Sequence, residues 1–146
     1  MENSRKQLKT YSILLLILAG LTALNAAFEI IFGAIANAEI PEGSPDNILL
    51  ITQIVLAVVT LLMLLPQIYI GVKGLKIAKK PNSSKGHIVW GIILLVFTIL
   101  SLIPLIVAIV NLEDVFANVA DALSIAVDAS ILFAYVKHAI IISKAN

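Results

Sequence analysis

The sequence predicts an all-α membrane protein, an antiparallel four-transmembrane-helix bundle with N- and C-termini cytoplasmic. Three observations predict it. Of the 146 residues, 60% are hydrophobic and only 13% are charged, against about 25% charged in a soluble domain. With a mean hydropathy of +1.05, too little polar surface remains to cover a soluble core. The apolar residues fall into four blocks, each near or above the ~20 residues that cross a bilayer core. The charges are also segregated. All ten Lys and Arg lie before the first block, between the second and third, or at the end of the fourth. The two connections on the other side hold Glu39, Glu42, Asp46, Glu113 and Asp114 and no base. The bias of Lys and Arg toward cytoplasmic segments then sets the orientation. One membrane domain, 1–146, is expected.

Residues 1–10 are polar and basic, and the first span is expected at about 11–37. A basic start before an apolar run also describes a signal peptide, but a signal's apolar region is about 7–15 residues, so an uncleaved helix is expected. Residues 38–46 form a short acidic loop. Within it Ser44-Pro45-Asp46 reads as a helix start: Ser as N-cap, Pro at the first helical position and Asp where the helix dipole favours it. The second span follows at about 47–73, with a kink expected at Pro66. The helix can extend past the membrane into the basic segment that follows, with Gly71 and Gly74 as weak points.

The basic cytoplasmic loop, 73–86, carries Lys73, Lys76, Lys79, Lys80 and Lys85, with Pro81-Asn82-Ser83-Ser84 as the turn. The third span, about 87–110, is the most apolar and is interrupted only by Thr98, Ser101 and Pro104. Asn111-Leu112-Glu113-Asp114 is a tight acidic turn into the fourth span, about 115–137. Tyr11, Tyr69, Trp90 and Tyr135 all fall near the expected inner interface, where amphipathic rings sit.

The fourth span is the unusual one. Asp114, Asp121, Asp128 and Tyr135 follow one another at heptad spacing, nearly two helical turns, and so share a face. That face is unsuited to lipid. In the second span Gln53, Thr60 and Gln67 repeat the spacing, and in the first Asn25 and Glu29 share a face. With alternating helix directions, Glu29, Gln53, Asp121 and Asp128 fall at depths where they can meet in the bundle interior, with Asn25 and Tyr135 as hydrogen-bonding neighbours. An intramembrane acid is by default a candidate ion, proton or cationic-ligand site.

Its cost is serious. An Asp at a helix centre costs about 2.5–3.5 kcal/mol and a large apolar residue returns about 0.3–0.6. Between Val119 and Val136 there are eight large apolar residues, worth roughly 2.4–4.8 kcal/mol on that scale, so Asp128 alone offsets much of the span's insertion energy. No transmembrane base is available as a counter-ion, Lys73 and Lys137 standing at the span ends. These acids are therefore expected to be protonated, hydrated, hydrogen-bonded or bound to a cation, and interhelical hydrogen bonding alone would also account for them.

Other signals are plainer. Ala122, Ala126, Ser130 and Ala134, like Ala19, Ala23 and Ala27, form rows of small residues that let helices approach closely. The five loop lysines set the topology and place cations beside anionic lipid headgroups. No aromatic residue is interleaved with them, so no nucleic-acid partner is expected. His87 and His138 read as ordinary interfacial residues. There is no cysteine, hence no disulfide or thiolate site. No zinc-protease, phosphate-loop or Ser/His pattern is present. No catalysis, cofactor or metal is expected.

Four short helices with a Glu in the first resemble, in outline, the small multidrug-resistance transporters. This chain departs from them in its longer first span, its one-way charge bias and its extra acids in the fourth span. The segment 67–93, Gln-Ile-Tyr-Ile-Gly-Val-Lys-Gly-Leu-Lys-Ile-Ala-Lys-Lys-Pro-Asn-Ser-Ser-Lys-Gly-His-Ile-Val-Trp-Gly-Ile-Ile, resembles the middle loop of small uncharacterised four-helix bacterial integral membrane proteins. That resemblance implies a multi-pass protein of a bacterial plasma membrane and brings no activity with it. Two functions are carried forward. One is helix–helix association without catalysis, as a homo-oligomer or a subunit of a membrane assembly. The other is a small proton- or cation-coupled transporter or channel using the acidic cluster.

Overall fold

The computed structural model describes residues 1–146, the side chain of residue 37 excepted. Its elements are α1 (Glu2–Glu39), α2 (Pro45–Lys79), α3 (Gly86–Leu100), α4 (Leu102–Val110) and α5 (Val115–Ala145). They make four segments long and apolar enough to cross a membrane, the third formed by α3 and α4 together. The expected antiparallel bundle is present. Its helices stand in ring order, with α1 packed on α2 and α5, and α3 likewise packed on α2 and α5.

Local chemistry sets most helix limits. Ser44 caps α2, its Oγ accepting from the Asn47 N–H at 3.2 Å, with Pro45 in the first turn. The α4–α5 turn needs left-handed backbone at Leu112 and Asp114, φ 59° and 35°. The Asn118 side chain donates to the Glu113 carbonyl at 2.7 Å and steadies that turn. The third span breaks at Ser101 because Pro104 has no N–H to return to the Leu100 carbonyl. Thr98 and Ser101 hydroxyls turn back onto the carbonyls of Leu94 and Thr98, at 2.7 and 2.6 Å, in the last turns before the break. In contrast α2 runs unbroken through Pro66.

Three helices outrun the apolar blocks at the basic end: α1 begins at Glu2, not near Tyr11, α2 continues to Lys79, and α5 to Ala145. The reason is packing. Ser4 and Leu8 of α1, Ile77 and Ala78 of α2, and Ala139 and Ile142 of α5 are all buried, so the core continues past the purely apolar sequence. Arg5 fastens the first turns of α1 to the end of α2. Its Nε donates to the Ala78 carbonyl at 2.9 Å and its Nη2 to the Lys79 carbonyl at 3.0 Å. These are carbonyls a helix end leaves without intrahelical partners, and a cation there also suits the dipole.

The core lies in the basic half of the bundle. Leu8, Leu15, Ile70, Ile77, Ile88, Leu132, Tyr135, Val136 and Ile142 form one buried cluster drawn from α1, α2, α3 and α5. Toward the acidic end the buried positions belong to the α1–α2 seam alone: Ala19, Ala26, Asn47, Ala57 and Leu64. That seam has a heptad register on both sides. Ser12, Ala19, Ala26 and Gly33 are spaced by seven on α1, and Ala57, Leu64, Gly71 and Ala78 on α2. All are buried except the half-buried Gly33. Apart from Leu64 these are small residues, which at this spacing let two antiparallel helices approach closely. Of the row expected on α1, Ala19 is buried, while Ala23 and Ala27 are only half-buried.

The glycines of α2 are not weak points. A Cβ on Gly71 would stand 2.7 Å from the Leu16 side chain, and one on Gly74 would stand 2.6 Å from the Tyr135 ring and strike the Ser12 hydroxyl. Gly91 of α3 is as tight, 2.8 Å from Val136. These are the places where α1, α3 and α5 reach closest to their neighbours.

Candidate functional site

The acidic face of α5 changes character along its length. Asp114 and Asp121 are exposed, Asp128 is half-buried and Tyr135 is fully buried. One stripe thus passes from an open acidic end into the packed basic end. No residue of α5 before Leu132 is buried, and no residue of α4 is.

The other acid stands elsewhere. Glu29 is exposed on α1 and accepts a hydrogen bond from the Asn25 side chain at 2.8 Å, one helical turn away. Glu29 and Gln53 line the same groove between α1 and α2, together with Phe32, Gly33, Leu50 and Leu56. Asp121 lines another groove, between α4 and α5, with Ser101, Pro104, Leu105 and Ser124. The expected four-residue meeting therefore resolves into two places. Glu29 and Gln53 come together, while Asp121 faces its own hairpin partner and Asp128 lies one heptad deeper. The cause is the pairing of the acidic halves, where α1 packs with α2 and α4 with α5.

Polar stripes on α2 follow the same logic. Gln53 and Thr60 are exposed, and Thr60 satisfies itself on the Leu56 carbonyl at 2.9 Å. Only Gln67 reaches another helix, donating to the Leu15 carbonyl of α1 at 3.0 Å.

Tyr135 is a tie across the bundle. Its hydroxyl donates to the Ile70 carbonyl of α2 at 2.7 Å, and its ring has no exposure. It is not an interface anchor, unlike the exposed Tyr69 and Trp90. His87 is also misplaced by sequence reasoning. It is 1% exposed and packs edge-on to Tyr135 with ring centres 6.1 Å apart. Neither of its nitrogens, nor the buried Ser12 hydroxyl, has a hydrogen-bond partner among the described residues. A small polar knot of Ser12, His87 and Tyr135 thus sits at the centre of the basic half. Nothing in the spacing of a single histidine after a lysine-rich loop announces it. The heptad row containing Ser12 does announce that Ser12 faces α2. His138 is half-buried, stacked on Tyr11 at 6.0 Å, with Nδ1 3.3 Å from the Ser4 hydroxyl.

Of the expected headgroup contacts, Lys76, Lys79, Lys80 and Lys85 are exposed and Lys73 is half-buried. Among the described residues no three His, Asp or Glu side chains gather as a metal site would require. Compared with protein-family models, curated proteins and solved structures, the chain has no match.

Proposed function

We propose that this protein acts by helix–helix association within the membrane, as a homo-oligomer or as a subunit of a membrane assembly, and not by catalysis. The observation that carries this reading is the acidic half of α5. It buries nothing, yet it bears Asp121, Ser124 and Ser130 exposed at bilayer depth. Lipid is a poor cover for them, since an Asp at the helix centre costs about 2.5–3.5 kcal/mol. Water is a poor cover too, because Leu123 and Val127 on the same segment are 63% and 57% exposed. A further helix offering apolar contact and hydrogen bonds would cover both. The full chain in mild detergent is expected to run as a dimer or larger species, or to carry a partner, and Asp121→Leu is expected to weaken that species. A strict monomer in detergent and in lipid, with no partner, would sink the reading.

A second reading, proton- or cation-coupled transport, is favoured by the burial gradient from Asp121 to Tyr135, because a face that opens toward one side of a membrane is also a vestibule. Asp128 separates the two. No hydrogen bond to it forms among the described residues. Asn matches its shape and can donate but cannot ionise. Under association, Asp128→Asn leaves oligomer state and thermal stability nearly unchanged. Under transport, it abolishes uptake in proteoliposomes while the fold survives. Full tolerance of Asp128→Leu in all three assays would remove the carboxyl from both readings.

The orientation belongs to the same proposal: the basic end in the cytoplasm of a bacterial cell, anchored by Lys and Arg. With Gly43→Cys and Ser83→Cys as separate variants, an impermeant thiol reagent is expected to label position 43 from outside intact cells and position 83 only after lysis. The reverse pattern overturns it.

A further inference from the structure

We infer that the groove between the first turns of α1 and the end of α2 binds a phosphate group, carried by an anionic phospholipid headgroup or free in solution. The groove has a volume of about 550 Å³ and is lined by Met1, Glu2, Arg5, Lys6, Lys9 and Ala78. Positions 2, 5, 6 and 9 share one helix face. Ser4 and Leu8, on the other side of the same turns, are buried in the bundle. Their burial fixes the rotation of α1, so the basic face stands beside the end of α2.

Arg5 is what distinguishes this place from the lysines of the loop. Its Nε and Nη2 are held by the carbonyls of Ala78 and Lys79. A guanidinium has five N–H donors, so both hydrogens of Nη1 and one of Nη2 remain for an acceptor in the groove. Two hydrogen bonds already orient the fork, which lowers the ordering cost of binding. A planar fork fits phosphate oxygens where an ammonium offers only a point charge. Lys6 and Lys9 are exposed on the same helix face. Lys6 is paired with Glu2 at 3.0 Å, both side chains largely exposed. Such a pair is weakly held and gives way to a doubly bonded anion. The last turn of α2 adds Lys76 and Lys79 nearby.

The full chain purified in detergent tests this by native mass spectrometry with added phosphatidylglycerol, phosphatidylcholine or inorganic phosphate. The wild type is expected to retain phosphatidylglycerol over phosphatidylcholine. Lys6→Gln/Lys9→Gln, exposed changes that leave the Arg5 contacts intact, is expected to weaken retention about thirtyfold. Lys137→Gln/Lys144→Gln, with the same loss of charge at exposed positions of α5, is expected to keep it. If inorganic phosphate binds alone and displaces the lipid, with the same dependence on Lys6 and Lys9, free phosphate is the ligand. If it does neither, the headgroup is. Equal losses in the two double variants, or equal retention of both lipids by the wild type, would overturn the site.

Discussion

Tyr135→Ala is expected to cost about 3 kcal/mol of stability, the low end for removing a buried aromatic side chain. The low end applies because packing between membrane helices has little hydrophobic driving force behind it. The effect is still large because of where the ring stands. Tyr135 is fully buried and fills the space left by Gly74 of α2. It packs against His87 of α3, and its hydroxyl reaches the Ile70 carbonyl at 2.7 Å. Removing it opens a cavity where three helices meet. Tyr135→Phe keeps the ring and is expected to cost about 1 kcal/mol or less, the range of one interhelical hydrogen bond in a membrane. Thermal unfolding in detergent, followed for wild type, Phe and Ala, checks the order. Equal stability of Ala and wild type would show that the ring does not hold the bundle.

The second large effect is expected at Gly74. Gly→Ala in a helix interior normally gains about 1 kcal/mol from propensity. Here the added methyl would lie 2.6 Å from Tyr135 Cε2 and 3.0 Å from its hydroxyl. Overpacking of this kind costs about 1–3 kcal/mol, so Gly74→Ala is expected to destabilise and Gly74→Leu to separate α2 from α1 and α5. Gly20 supplies the control. A Cβ there meets nothing within 4 Å, and Gly20→Ala is expected to be neutral or stabilising. Gly74→Ala should also cost less in a Tyr135→Ala background, because one of its two clashes is gone and neighbouring changes couple. Strict additivity of the pair would contradict the contact.

How much of this was legible in the chain depends on the range of the physics involved. The four spans were legible, and so was the start of α2, where Ser44-Pro45-Asp46 caps a helix through atoms a few residues apart. The extension of α2 toward Lys79 was legible, but the start of α1 at Glu2 was not, because residues 1–10 read as polar while only one face of them is buried. The acid cluster was half legible. Glu29 and Gln53 share a groove, but depth along a helix did not reveal that Asp121 faces α4. Gly71 and Gly74 read as weak points because a glycine costs helix stability locally. Their use, close approach of another helix, has no local signature.

The sequence by itself determined that this chain forms four long apolar helices with its bases at one end and two base-free, acidic connections at the other. Hydropathy and helix formation act on each segment of ~20 residues independently of its neighbours. Only the tertiary structure decided which polar groups are enclosed: Tyr135 and His87 buried, Asp121 exposed, Arg5 pinned to the end of α2. Burial of those groups depends on where a second helix comes close. That approach is set by small residues matched across the seam, Ser12 against Gly71 and Gly74, which lie about sixty positions apart in the chain and act only once both helices exist.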